Sequence, residues 1–159
     1  MKKHLKKYLF IVLLIIIIGP VSAVSIIRIK DSPTRYNGKT VRLRGQVVFK
    51  AGIPFTDLLV YKLEDKTGSI LVFSAFPKDR DERVSIKAEV IAYIGEDNEE
   101  QREQTIERIS DYLVEKDILE REQAGKVSEI SLRFITTIAN AATGTWFVIE
   151  QERSGFFIL

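Results

Sequence analysis

The chain has 159 residues and a formal net charge of +2, with no cysteine and one histidine, His4. Lacking cysteine, it cannot build a disulfide framework, a thiolate metal site or a lipoprotein anchor. Lacking histidine beyond residue 4, the rest of the chain has neither the usual zinc, copper and haem ligands nor the usual general base, and no Cys or Ser-His nucleophile.

Lys2, Lys3, Lys6 and Lys7 precede an unbroken apolar run, Leu9 to Ile18, which Gly19 and Pro20 then interrupt. A basic segment followed by an apolar one of this length is a secretory targeting signal, and Val21-Ser22-Ala23 offers a cleavage site before Val24. The stretch from Tyr8 to Ile27 is also twenty residues without a charge, enough to cross roughly 30 Å of hydrocarbon as a helix. Residues 1–23 are therefore expected to be a signal peptide or a retained membrane anchor, with the lysines on the cytoplasmic side. Under both readings the folded part is exported to the cell envelope, on its periplasmic or extracellular face. With those lysines set aside, the remainder holds 20 basic and 22 acidic residues, a net of −2. One compact domain with an appendage fits this length.

From Thr40 to Lys50, Val41, Leu43, Val47 and Phe49 alternate with Arg42, Arg44, Gln46 and Lys50, which predicts a half-buried strand bent at Gly45. Lys50 to Thr56 carries Gly52 and Pro54 and reads as a loop. Leu59 to Glu64 and Ser69 to Phe73 flank the turn tetrapeptide Asp65-Lys66-Thr67-Gly68 and predict a hairpin. Pro77 to Arg83 is a charged connection. Val84, Ile86, Ala88, Val90, Ala92 and Ile94 then alternate as the longest strand.

Glu96 to Gln123 is densely charged, with Ile106, Ile109 and Leu113 at helical spacing, and predicts a surface helix whose apolar stripe packs on the rest of the domain. Beyond Gly125, alternation of Ile130, Leu132 and Phe134 predicts a strand, and Trp146 to Gln151 and Phe156 to Leu159 look extended. The final barrel strand is either Ile130 to Ile138 or Thr145 to Gln151.

The run Ile29 to Val47, with a Tyr-x-Gly-Lys turn before a glycine-bent strand, and the Asp-x-Thr-Gly hairpin within Leu63 to Val72 resemble exported bacterial OB-fold domains of the tRNA-anticodon-like type. The resemblance covers residues 26–94 well and the C-terminal third poorly. It implies a mainly β fold, a five-stranded Greek-key barrel with an acidic helix inserted before the last strands. The expected divisions are 24–94 for the barrel core, 95–126 for the charged helical segment and 127–159 for C-terminal strands completing the barrel. The architecture is also similar to the membrane-anchored haem chaperone of cytochrome c maturation, whose haem-attaching histidine has no counterpart here.

Residues 24–94 hold 13 basic and 8 acidic residues, and residues 95–159 hold 7 and 14, so the halves differ in sign. A basic strand face with exposed aromatics is how OB folds hold single strands or anionic glycans, and Arg42, Arg44, Lys62, Phe55 and Phe73 are the candidate ligand-binding residues. The plainer alternative makes Arg42 and Arg44 a solvated face paired with the acidic helix. Nucleic acid is the less favoured ligand because the exported part is net negative and phosphate binding needs an attractive field. Glu96 to Glu100 lacks the spacing of a calcium loop, and Trp146, Phe156 and Phe157 are assigned to a core. No carboxylate pair is singled out by spacing, so no enzyme, metal or cofactor is expected. The expectation is a binding module with a protein partner or surface ligand, and with the membrane as partner if the anchor is retained. The alternative is a single-pass structural subunit of a membrane complex.

Overall fold

The computed structural model describes residues 22–92, 98–142, 146–152 and 155–156. The expected targeting segment, apart from Ser22 and Ala23, lies outside these residues, as do Ile94, the Glu96-Asp97 pair and Phe157. Among the described residues no helix is long and apolar enough to cross a membrane.

Two short helices, α1 (Ile26–Asp31) and α2 (Pro33–Tyr36), lead into strand β1 (Thr40–Gly52). β2 (Leu59–Asp65) and β3 (Gly68–Ser74) form the expected hairpin, with Asp65 opposite Gly68. β4 (Arg83–Ala92) returns antiparallel to the first half of β1, from Thr40 opposite Glu89 to Gln46 opposite Arg83. The second half of β1 pairs with β2, after an irregularity between Val47 and Phe49 that lets one strand serve two neighbours. At Gly45, beside Gln46 where β1 takes up β2 as a partner, a Cβ would collide with the Glu64 carbonyl oxygen, so only glycine permits this approach.

Two long helices follow, α3 (Glu99–Glu115) and α4 (Arg121–Ala142). Then β5 (Trp146–Glu150) inserts between β3 and β4, parallel to the first and antiparallel to the second. The order β1-β2-β3-β5-β4 closes because β4 also pairs with β1, giving a closed five-stranded mixed β-barrel. A two-residue strand, β6 (Gly155–Phe156), lies on β4.

Alternation places Val41, Leu43, Val47, Leu63, Val72, Ile86, Val90 and Val148 inside the barrel. Ile26 and Ile29, three residues apart and therefore on one face of α1, plug one end and are fully buried. The plug is pinned by the Asp65 carboxylate, which accepts the Ile26 N–H at 2.9 Å. Burial alone would raise the Asp65 pKa, but bonds from the Thr67 hydroxyl and from the amides of Ile26, Thr67 and Gly68 hold it below the usual range.

The C-terminal third differs from the expected strands. Ile130, Leu132 and Phe134 lie within α4, and most of the described part of 127–159 is helix. Alternation over five residues also fits a helix whose inward face is Ala124, Ser128, Leu132, Ile135 and Ala139, all buried at 3.6-residue spacing. Gly125 lies within that helix, where glycine costs only about 1 kcal/mol relative to alanine. The single helix expected over 96–123 is two, separated at Asp117, whose φ of 54° no α-helix accommodates. Asn98 caps α3 by accepting the Gln101 N–H at 3.1 Å, with Glu99 and Glu100 against the positive end of the helix dipole. As its stripe predicts, α3 packs on the barrel through Ile109 and Leu113. Of the two segments considered for the last barrel strand, the second supplies it, as β5 over Trp146–Glu150.

Candidate functional site

The outer surface of the barrel has two unlike sides. Over β2, β3 and β5, Val60, Leu71, Phe73, Phe147 and Ile149 pack against Ile109, Tyr112, Leu113, Leu132 and Ile135 of α3 and α4. The opposite side, centred on β1, is left uncovered by these helices. Charge divides along the chain: residues 22–92 carry 13 basic and 8 acidic side chains, and residues 98–142 carry 6 and 10.

On the uncovered side Arg42 and Arg44 are exposed, two residues apart and therefore on the same face. Arg42 stands opposite Lys87 and Gln46 opposite Arg83, so strand pairing brings two further cations beside them. Like charges directly opposite in a sheet repel, and Glu152 relieves part of this. Its carboxylate lies 2.8 Å from the Lys87 ammonium, and the Lys87 hydrogen bond and charge, with smaller contributions from Lys116 and Arg42, lower its pKa. Lys62 is half-buried on β2, opposite Phe49. At one end of this face a pocket of about 450 Å³ is lined by Arg44, Gln46, Lys66 and Arg83, with Glu64 and Asp65 closing it.

The candidate residues thus divide. Arg42 and Arg44 share the uncovered side, whereas Lys62, half-buried on β2, stands opposite Leu71, which the helices cover. Phe55 stands apart at the tip of the β1–β2 loop, fully exposed. Phe73 is fully buried beneath Tyr112, their rings 5.8 Å apart and edge-on, so it cannot stack on a ligand. The helices are what enclose it, and the continuous apolar run Ile70 to Phe73 is the signal for a strand buried on both faces. Arg83 and Lys87 went unselected because only closure of β4 onto β1 brings them to the site. Among the described residues, the acidic helix forms ion pairs from Arg102 to Glu99 and Glu129, from Asp111 to Arg121, and from Arg108 to Glu89 on β4.

A second polar cluster lies inside the barrel at the end away from α1. Lys78, on the β3–β4 connection, reaches Glu150 of β5 at 2.9 Å, with side chains 1% and 0% exposed. The other Glu150 oxygen accepts from the Tyr61 hydroxyl at 3.0 Å and from Ser74 Oγ at 2.7 Å. Burial first, and then the Glu150 charge, push the Tyr61 phenol far above its ordinary range. Burial likewise pushes Tyr112 up to about 12, against the smaller opposing effect of its contact with the Ala75 amide. A folded-state pKa raised above the unfolded value of about 10 makes a contribution that is complete below pH 10 and is lost as pH rises through 12. The urea midpoint should therefore hold steady from about pH 8 to 9.5 and fall above 10, with Tyr112→Phe removing part of the fall between 10 and 12. A Tyr112→Phe profile superimposable on that of the parent chain would refute this.

Among the described residues no cluster of His, Cys, Asp or Glu is placed to hold a metal ion. No protein-family model matches the chain, and a search of curated proteins finds no match.

Proposed function

We propose that the chain is a non-enzymatic OB-fold binding module of the cell envelope whose β1 face takes an anionic surface polysaccharide. The strand order with its parallel β3–β5 pairing supports the OB assignment. The targeting segment at residues 1–23 supports export, with a membrane tether if it is retained.

The observation that carries the ligand reading is the sidedness of the barrel. OB folds use the strand 2–3 face and its neighbouring loops for ligands, and here α3 and α4 fill the outer face of β2 and β3 with their own apolar side chains. The ligand surface therefore moves to β1 and β4, where Arg42, Arg44, Arg83 and Lys87 converge. Arginine pairs with planar carboxylates through two parallel hydrogen bonds, which suits uronic acid units. Nucleic acid fits less well, because Phe73 is buried and so cannot stack on a base.

The test uses the full-length chain with polygalacturonate and a fluorescent deoxythymidine 20-mer as probes. Polygalacturonate should bind with an affinity that falls as salt rises, and R42E/R44E should weaken it at least about tenfold and reduce the salt slope by about two. Both arginines are exposed, so the double variant keeps its fold. Absence of polygalacturonate binding at about 20 mM salt, or an unchanged affinity in the variant, overturns the proposal. Tighter binding of the 20-mer would replace the polysaccharide with nucleic acid.

A further inference from the structure

The β1–β2 loop gathers three features onto one small surface. The first is Phe55, fully exposed and held at a φ of 63°, a left-handed backbone that a bulky aromatic residue rarely takes. The loop enforces it. Ile53, 2% exposed, anchors one end, and its N–H donates to the Leu58 carbonyl at 2.8 Å. The Thr56 hydroxyl donates to the Ile53 carbonyl at 2.9 Å and accepts from the Leu58 N–H at 3.1 Å. A ring carried on a loop ordered by its own bonds loses little entropy on docking.

The second feature is a groove of about 360 Å³ beside the ring, lined by Lys50, Thr56, Asp57, Leu58, Leu59 and Pro77. An apolar cavity of about 150 Å³ already accepts benzene, so the groove has room for a phenyl side chain. The third is a strand edge. From Phe49 to Gly52 β1 pairs with β2 alone, its pairing with β4 having ended at Gln46. Among the described residues no strand meets the other edge of these four, and Phe49 is itself 41% exposed.

We propose that this surface joins two copies of the chain about a two-fold axis, Phe55 of each seated in the groove of the other. A knob and a hole built side by side by one loop are self-complementary under a two-fold rotation. The groove lining also includes Lys78, which is turned inward to Glu150, so its solvent-facing charges are Lys50, 3.9 Å from Asp79, and Asp57, and the same rotation sets each against its opposite in the second copy. The free edges of β1 then meet antiparallel, the orientation a two-fold imposes. Because the irregularity between Val47 and Phe49 confines the free edge to four residues, pairing closes at a dimer and does not propagate. A lipid surface suits this loop poorly. Asp57, Asp79 and Asp81 are exposed around it, and it lies at the opposite end of β2 from Asp65, where Ile26 ties the start of the folded chain. One loop and four strand residues form an interface at the small end of the specific range, so association depends on concentration.

The absence of cysteine allows a clean test in cells making the full-length chain. Ala51→Cys lies in the middle of the proposed edge contact. Ile130→Cys, 49% exposed on α4, is the control away from it. Under mild oxidation Ala51→Cys should give several-fold more disulfide dimer than Ile130→Cys. Adding Phe55→Asp should lower the yield about tenfold, the loss expected of an interface anchor. Aspartate tolerates the left-handed backbone better than phenylalanine does, so this change leaves the fold intact. Lys50→Asp should also lower the yield, and Lys50→Asp with Asp57→Lys should restore it. Ala51→Cys dimer no more abundant than the control, or undiminished by Phe55→Asp, overturns the proposal.

Discussion

Replacing Lys78 with methionine should cost about 3–5 kcal/mol of stability, read from urea unfolding followed by circular dichroism. Glu150 would then be left at 0% exposure without its cation, with only the hydroxyls of Tyr61 and Ser74 as partners. Desolvation of a carboxylate costs several kcal/mol, and two neutral donors offset only part of that. The companion variant separates pairing from packing. Lys78→Met with Glu150→Gln removes both charges, keeps a carbonyl oxygen to accept from Tyr61 and Ser74, and fills the lysine stem's volume. It should regain most of the loss, since a buried ion pair replaced by neutral groups of similar shape is often close to neutral overall. A loss below about 1 kcal/mol for Lys78→Met alone would mean that water reaches Glu150. Loss of the pair also frees the β3–β4 connection at its deepest point, because Lys78 is the residue by which that segment enters the barrel end.

The second large effect belongs to Phe73. Truncation to alanine should cost about 3–5 kcal/mol, the range for a buried phenylalanine whose surroundings relax incompletely. The side chain is fully buried in the cluster joining β3 to α3 and α4, and its edge-on contact with Tyr112 adds to the loss. Phe55→Ala, by contrast, should stay within about 0.5 kcal/mol, because the ring touches solvent on all sides. Thermal unfolding of the two variants compares the phenylalanines directly: one holds the helices to the barrel, and the other is free to contact something else. Equal, small losses for both would mean that α3 and α4 do not cover β3.

Much of the barrel is legible in the chain because its information is local. Alternation in Val41 to Val47 and in Val84 to Ala92 states which side of each strand faces inward, though Phe49, expected on the inward side, is exposed beyond the irregularity after Val47, and the Asp65 to Gly68 turn states where the hairpin reverses. Arg42 and Arg44 could be assigned to the solvent side of β1 on the same ground, and they are exposed. What misled the reading of 130–134 was length. Three apolar residues at spacing two satisfy a strand, and only the longer frame from Ala124 to Ala139 reveals the helical period. Phe73 was misassigned for a related reason, since its outward direction on β3 is right but what lies outside is α3.

By itself the sequence determined the strands β1 to β4, the hairpin, the opposite charge of the two halves, and the absence of histidine and cysteine chemistry beyond residue 4. Each depends on residues within about a dozen positions of one another or on simple composition. Tertiary structure alone decided that β5 inserts between β3 and β4, that Lys78 meets Glu150, that Arg83 and Lys87 stand beside Arg44 and Arg42, and that Phe73 is sealed while Phe55 is bare. Each of these joins segments far apart in the chain, and such contacts form through closure of the barrel and docking of the helices, which no local pattern encodes.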